Sequence, residues 1–136
     1  MAALSSITAV RPTANTVVQL VKYGATIAAG QPVYYDPADQ EHKLADSNAS
    51  AATASAKGIA VTPGIDGGWG FIATKGDIIL VGTTMAVGES YFVGATAGTI
   101  IPDADLTTAD NVTRLFTAAS TTHARLSIEA TGIVHP

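Results

Sequence analysis

The stretch from Gly76 to Val93, GDIILVGTTMAVGESYFV, decides the fold class of this chain. Within it, residues 78–81 form a run of four branched apolar residues between Gly76 and Gly82. The run is too short for a helix and shows no helical periodicity, so it predicts a strand that is buried on both faces. We therefore take residues 78–81 as the core strand of a β-rich protein.

The second part of this stretch repeats an earlier segment. Residues 84–93, TMAVGESYFV, align with residues 26–35, TIAAGQPVYY. Each copy has a glycine at its fifth position, Gly30 and Gly88, ahead of a strand rich in aromatic residues. A glycine at the same place in both copies indicates a backbone conformation that excludes a side chain. The two copies are predicted to adopt one turn-and-strand geometry.

Similar short β-branched or aromatic runs, separated by turn residues, continue along the chain. They indicate nine to eleven short strands, with a tight turn at residues 75–77 ahead of the core strand. This spacing is typical of an antiparallel sandwich or barrel. The segments are residues 16–23, 33–36, 43–45, 59–61, 71–74, 78–81, 91–93, 99–102, 112–118 and 124–130. We predict an all-β, single-domain antiparallel β-sandwich or barrel of 136 residues.

At most one short helix is predicted. The Ala-rich stretch that ends at Lys57 begins near Asn48 or Ser50, either of which could cap a helix, and Gly58 follows it as a stop signal. The stretch has no large apolar residue to pack such a helix. An irregular loop is the alternative.

Composition excludes several classes of function. The net charge is −4, and the seven Lys and Arg residues are scattered, so no basic surface for nucleic acid is expected. The chain has no Cys, which rules out disulfides, thiolate metal sites and Cys nucleophiles. No apolar run approaches the length of a membrane span, and no signal sequence is recognisable. We expect a soluble, unprocessed protein that binds no nucleic acid and no membrane.

Residues 1–16 are predicted to form an N-terminal arm ahead of a β-rich domain at residues 17–136. The arm carries Leu4, Ile7 and Val10 at a spacing of three, and Arg11 is its only charged side chain. A solvated tail normally carries more charge. Two interpretations stay open: a free terminus, or an arm that is mobile alone and becomes ordered on a partner.

The acidic turn after Tyr35 is the only cluster with metal-ligand chemistry. Asp36, Asp39, Glu41 and His42 supply oxygen and nitrogen atoms, but the glycine and the bidentate glutamate of a calcium loop are missing from their required positions. The sequence favours a solvated hairpin turn. No metal and no cofactor is predicted.

Catalytic candidates are few. His42, His123 and His135 are the possible bases, and none is associated with a nucleophile-elbow pattern. We interpret them as surface histidines. Trp69, in a glycine-rich turn, could pack under a loop, stack on a sugar or anchor a protein interface. Packing under a loop is favoured, and the interface is the better of the two functional choices.

Several segments together resemble the small head decoration, or capsid cement, proteins of tailed bacteriophages. The resemblance covers residues from about Thr16 to the end and lies in short turn-and-strand patterns. The segments that carry it are GQPVYYD at residues 30–36, KLAD at 43–46, AKGIA at 56–60, AVGESYFV at 86–93, and the closing hairpin before Gly132 and Ile133.

The resemblance implies a non-enzymatic structural protein of the virion. Such a protein is a homotrimer on the outer surface of the expanded capsid, where it clamps neighbouring major capsid subunits. It is synthesised in the cytoplasm of the host bacterium. Residues 1–16 would lie on the capsid, which makes Leu4, Ile7, Val10 and Arg11 candidate contact residues. Trp69 is added to them as the possible interface anchor.

Two other classes remain as alternatives. A carbohydrate-binding or tail-fibre-type β-domain would use Trp69 with Tyr34, Tyr35 or Tyr91. A small β-barrel hydrolase would require His42 or His123 in a pocket beside an acid.

Overall fold

The fold is seen in a computed structural model that describes residue 4, residues 7–108 and residues 110–135. It confirms the all-β prediction. Within the described ranges there are ten strands, one helix α1 (Ala51–Ala54) and one 3₁₀ turn at Asp103–Asp105. The strands are β1 (Ala9–Pro12), β2 (Val17–Lys22), β3 (Pro32–Asp36), β4 (Glu41–Leu44), β5 (Ala56–Ala60), β6 (Trp69–Val81), β7 (Ser90–Val93), β8 (Ile100–Pro102), β9 (Asn111–Ala118) and β10 (His123–Val134).

All ten strands belong to one curled sheet, which forms a half-barrel. The main path runs β4-β3-β5-β6-β10-β9-β7-β8, and β1 and β2 both pair with β6 outside this path. Strand β6 is the longest, with 13 residues. Ile72 pairs with both β2 and β5, and Ile78 with both β1 and β10. The two parts of β6 therefore belong to two different groups of strands.

These two groups are copies of one arrangement. The first repeat contains β2, β3, β4, β5 and residues 69–75 of β6, and the second repeat contains residues 76–81 of β6 with β7, β8, β9 and β10. The β3–β4 pair Val33–Leu44 recurs as the β7–β8 pair Tyr91–Pro102, an offset of 58 residues from 33 to 91 and from 44 to 102. Strand β5 pairs with β3 as β9 pairs with β7, with the same offset and the same irregularity after residues 33 and 91.

The turn predicted from the sequence repeat is present in both copies. Gly30 has φ of 91° and Gly88 has φ of 83°, a region that only glycine adopts easily. The amide of Gly30 donates to the carbonyl of Ala60, and the amide of Gly88 donates to that of Ala118, both at 2.8 Å. The prediction of one shared geometry is confirmed.

Buried apolar residues of the described chain form two clusters. The smaller cluster, in the first repeat, contains Val21, Tyr23, Ile27, Val33, Ala60 and Ile72. The larger cluster lies mainly in the second repeat and includes Ile78, Leu80, Val93, Ile100, Leu115 and Phe116. The larger cluster also takes in Ala45, Ala56, Ile59 and Ala73 of the first repeat, so it joins the two repeats.

Three local predictions were wrong. Residues 75–77 do not reverse the chain, because Gly76 (φ 87°) keeps β6 continuous where the carbonyl of Asn15 approaches closely. Residues 78–81 are not buried on both faces, since their burial alternates between full and partial. The helix ends at Ala54 instead of Lys57, because residues 56–60 pair with β3 and β6.

The start of that helix agrees with the sequence. Ser50 is the N-cap, and its hydroxyl accepts a hydrogen bond from the amide of Thr53 at 3.1 Å. The hydroxyl of Thr53 accepts one in return from the amide of Ser50, also at 3.1 Å. This reciprocal capping stabilises a helix of only four residues.

The N-terminal segment joins the sheet, which differs from the expectation of a mobile arm. Residues 1–3, 5 and 6 lie outside the described residues, and for them the expectation of a mobile arm stays a prediction. Strand β1 pairs with residues 78–81 of β6, and Val10 is 6% exposed in the larger cluster. The amide of Leu4 donates to the carbonyl of Ile100 at 2.9 Å. Burial of Val10 and these backbone bonds hold residues 7–12 on the second repeat.

Candidate functional site

One edge of strand β2 has almost no partner. Among the described residues, β2 pairs only with β6, and its other edge meets β4 at a single bridge between Tyr23 and His42. The amide of Gly24 donates to the carbonyl of His42, whereas that of Tyr23 points to the β6 side. Because backbone groups alternate along a strand, the amides of Val18 and Leu20 face the open edge.

The side chains beside this edge are apolar and exposed. Leu20 lies directly opposite Phe71 on the outer face of the sheet, with exposed fractions of 54% and 42%. Trp69, 63% exposed, lies opposite Lys22. We call Val17, Val18, Leu20, Trp69 and Phe71 the edge patch. Soluble proteins usually protect open edges with charges or proline, and this edge has neither between residues 17 and 21.

A groove separates β2 from β4 and from the turn that precedes β4. It has a volume of about 320 Å³ and is closed at one end by the bridge of Tyr23 and His42. The Nζ atom of Lys22 lies 3.8 Å from a carboxylate oxygen of Glu41 beside that bridge. The groove is lined by Gln19, Leu20, Val21, Lys22, Asp39, Gln40, His42 and Trp69. We call it the β2–β4 groove.

A second cavity, of about 330 Å³, adjoins this groove through Gln19 and His42, which line both. Its remaining lining residues are Tyr35 and Lys57, so we call it the polar pocket. The rings of Tyr35 and His42 are tilted, with centroids 5.2 Å apart. Burial, and then the ammonium of Lys57, lower the pKa of His42 below the usual range of histidine. A neutral imidazole and one cation thus share the pocket.

The structure does not bring the five sequence-predicted contact residues together. Leu4, Ile7 and Val10 pack against the apolar cluster of their own chain. Arg11 is exposed and lies opposite Ile79, ten residues along β6 from Trp69, which corresponds to roughly 33 Å. Only Trp69, in the edge patch, combines exposure with a neighbouring apolar surface.

The acidic turn is organised by a lysine. The Nζ atom of Lys43 lies 2.9 Å from a carboxylate oxygen of Asp36 and 2.8 Å from one of Asp39. Hydrogen bonds to Asp39 and then Asp36 raise the pKa of Lys43, and the bond from Lys43 lowers the pKa of Asp36. No group of metal-ligating side chains is found among the residues that the structure describes.

The other two histidines have separate surroundings. His123 Nε2 lies 2.9 Å from Asp77 Oδ2, and this hydrogen bond is the main cause of a lowered pKa at Asp77. The hydroxyl of Ser120 accepts hydrogen bonds from the backbone amides of Thr122 and His123, as a turn cap does. The amide of His135 donates to the carbonyl of Asp110.

Comparison with models of protein families and with curated proteins finds no match to this chain. Over the described part of the chain, no helix has the length and apolar character needed to cross a bilayer.

Sequence reasoning missed the edge patch apart from Trp69, and it missed the polar pocket entirely. The segment VVQLVK at residues 17–22 was recognised as a strand, but nothing local indicates which strand of a sheet lies at an edge. The signal for the pocket lay in the repeat. When the two repeats are aligned at an offset of 58 residues, Lys57 aligns with Leu115 and His42 aligns with Ile100. Polar residues of the first repeat thus stand where the second repeat has apolar ones.

Proposed function

We propose that this protein is a non-enzymatic bacteriophage capsid decoration protein, which binds the outer surface of the expanded head and stabilises it by clamping neighbouring major capsid subunits. The observation that carries the proposal is the bare, apolar edge of β2. A protein that works through a buried interface presents such an edge, because a strand of the partner can pair with it while apolar side chains are covered.

The further details come from the resemblance to decoration proteins. They are a homotrimer on the capsid, the major capsid protein as partner, and a place on the outside of the virion after synthesis in the host cytoplasm. The segments that carry the resemblance fall on the turns and strands β3, β4, β5 and β7 and on the hairpin of β9 and β10. The chain has few charges for its size, which suits a surface that lies against other proteins.

Binding to expanded, undecorated capsids tests the proposal. Trp69→Ala should weaken binding by about thirty-fold, the effect of losing an interface anchor worth about 2 kcal/mol. Val87→Ala is the matched control, because Val87 is equally exposed at 66% but lies in the turn before β7. Failure of the unaltered chain to bind capsids, or equal binding by both variants, would contradict the proposal. Sedimentation of the bound and free protein tests the trimer.

A carbohydrate-binding domain is the second candidate, and one observation favours it. Trp69 lines the β2–β4 groove and Tyr35 lines the adjoining polar pocket, so two aromatic rings flank a set of polar groups. Tyr91 takes no part, because it is 2% exposed and stacks on Phe116. Binding on a glycan array that is lost in both Trp69→Ala and Tyr35→Ala would favour this candidate over the capsid.

A further inference from the structure

The two repeats differ in how one equivalent edge is covered. In the second repeat, residues 76–81 of β6 occupy the place that β2 occupies in the first repeat. Strand β2 pairs with β6, the strand that follows β5, and residues 76–81 pair with β10, the strand that follows β9. The outer edge of residues 78–81 is covered by β1. The outer edge of β2 has no such strand among the described residues. Strand β1 in the second repeat therefore shows how a strand could pair with the open edge of β2 in the first repeat.

The second repeat also shows what the covering strand contributes. Strand β1 runs antiparallel to β6, and the amide of Thr8 donates to the carbonyl of Val81 at 2.8 Å. Val10 lies opposite Leu80 and places its side chain in the apolar cluster. The register makes Leu80 the equivalent of Val21, whose neighbours line the β2–β4 groove. A strand beside β2 would direct one side chain toward the polar pocket.

The polar pocket differs in chemistry from the equivalent region of the second repeat. Its four lining residues correspond to four apolar residues that are fully or almost fully buried in the second repeat. The offset of 58 residues matches Tyr35 with Val93, His42 with Ile100 and Lys57 with Leu115. The strand pairing matches Gln19 with Ile78. An apolar side chain fits the second repeat, whereas the first repeat offers hydrogen-bond donors and the ammonium of Lys57.

One charged group at the pocket, the ammonium of Lys57, has no partner of opposite charge within the described residues. Asp36 and Asp39 share Lys43 at 2.9 and 2.8 Å, and Glu41 lies 3.8 Å from Lys22, so the three nearby carboxylates have partners. An entering group that carries a negative charge would be stabilised by Lys57 and could accept hydrogen bonds from Gln19 and Tyr35.

We propose that the first repeat binds an extended, acidic segment of a partner protein, which pairs with the open edge of β2 and directs an aspartate or glutamate side chain into the polar pocket. The inference rests on the proposed function and deepens it by naming the chemistry of the partner's segment. The bridge of Tyr23 and His42 limits the pairing to residues 17–22. The backbone groups of Val18 and Leu20 are the ones that receive it.

Two nine-residue peptides provide the test, and both derive from the chain's own residues 4–12. One has the natural sequence LSSITAVRP, and the other has glutamate in place of Val10. Each is titrated into the isotope-labelled full chain, and amide shifts are followed by NMR. The Glu peptide should bind about five-fold more tightly than the natural peptide, with the largest shifts at Gln19 to Lys22 and at His42.

Variants identify the groups responsible. Lys57→Leu, which introduces the residue of the second repeat, should remove or reverse the preference for the Glu peptide. Arg125→Leu removes the same charge from an exposed site on β10 and should leave the preference intact. Leu20→Pro removes an outward-facing amide, which an edge strand tolerates, and should weaken both peptides. A native-like spectrum of each variant establishes that it is folded.

Several outcomes would overturn the inference. These are equal binding of the two peptides, an unchanged preference in Lys57→Leu, or shifts confined to residues outside the groove. Sodium acetate serves as the free carboxylate. If acetate reproduces the affinity of the Glu peptide, the strand edge contributes nothing and the inference fails. None of these results depends on capsids, so the capsid proposal stands or falls separately.

Discussion

Truncation of Val10 measures whether the N-terminal strand belongs to the stable fold. Val10 is 6% exposed and packs in the larger apolar cluster, so Val10→Ala removes buried methyl groups and leaves a cavity. Two methylene equivalents at about 0.8 kcal/mol each, with a cavity contribution, give a loss of about 2 kcal/mol in the free energy of unfolding. The thermal midpoint should fall by roughly 6 to 10 °C.

Urea denaturation followed by circular dichroism provides the assay. Arg11→Ala is the matched control, because Arg11 is the next residue of β1 and is exposed. It should change stability by no more than about 0.5 kcal/mol. The slope of the unfolding free energy against urea should stay the same in both variants. If Val10→Ala has as little effect as Arg11→Ala, β1 does not contribute to the stable fold and the arm is mobile.

Three further predictions concern turns and titrating groups. Gly88→Ala should cost about 1 to 2 kcal/mol through backbone strain alone, and Gly30→Ala should cost more, because its Cβ would lie 2.5 Å from an isoleucine of the N-terminal segment. Chemical denaturation compares the two. Lys57→Leu should raise the pKa of His42, measured by NMR titration. Since that pKa lies below the unfolded value of about 6.5, the stability that His42 contributes is lost as pH falls, and the variant should lose less of it between pH 7 and 5. Asp77→Asn should destabilise the protein at pH 6, and the difference should shrink as pH falls below about 4, because the pKa of Asp77 is lowered by its histidine partner. An unchanged difference at pH 3 would contradict this assignment.

The sequence was sufficient for most of the fold. Alternation, turn residues and the repeated glycine predicted an all-β protein and placed Gly30 and Gly88 in one geometry. These features depend on neighbours in the chain, which a sequence displays directly. The continuity of β6 at Gly76 could not be predicted, because a glycine with positive φ serves a turn and an irregular strand equally well.

The site was harder to predict for a physical reason. Whether Leu4, Ile7 and Val10 face a partner or their own core depends on pairing with segments 70 to 96 residues away, as for Val10 with Leu80 and Leu4 with Ile100. Apolar composition is the same in both cases. Likewise, Gln19 and Lys57 appear as ordinary surface residues in the sequence. Only the strand register shows that they are equivalent to apolar residues of the second repeat. Only a three-dimensional comparison of the repeats separates a pocket residue from an ordinary surface residue at these positions.

Hydrogen–deuterium exchange on expanded capsids tests the central claim, that the open edge of β2 is the docking surface. In the free chain, the amides of Val18 and Leu20 should exchange quickly, because they face the open edge. On capsid-bound protein, the same amides should become protected by at least about ten-fold, as strand pairing requires. Protein that binds capsids while Val18 and Leu20 exchange at their free rates would contradict the claim and would place the contact surface elsewhere on the half-barrel.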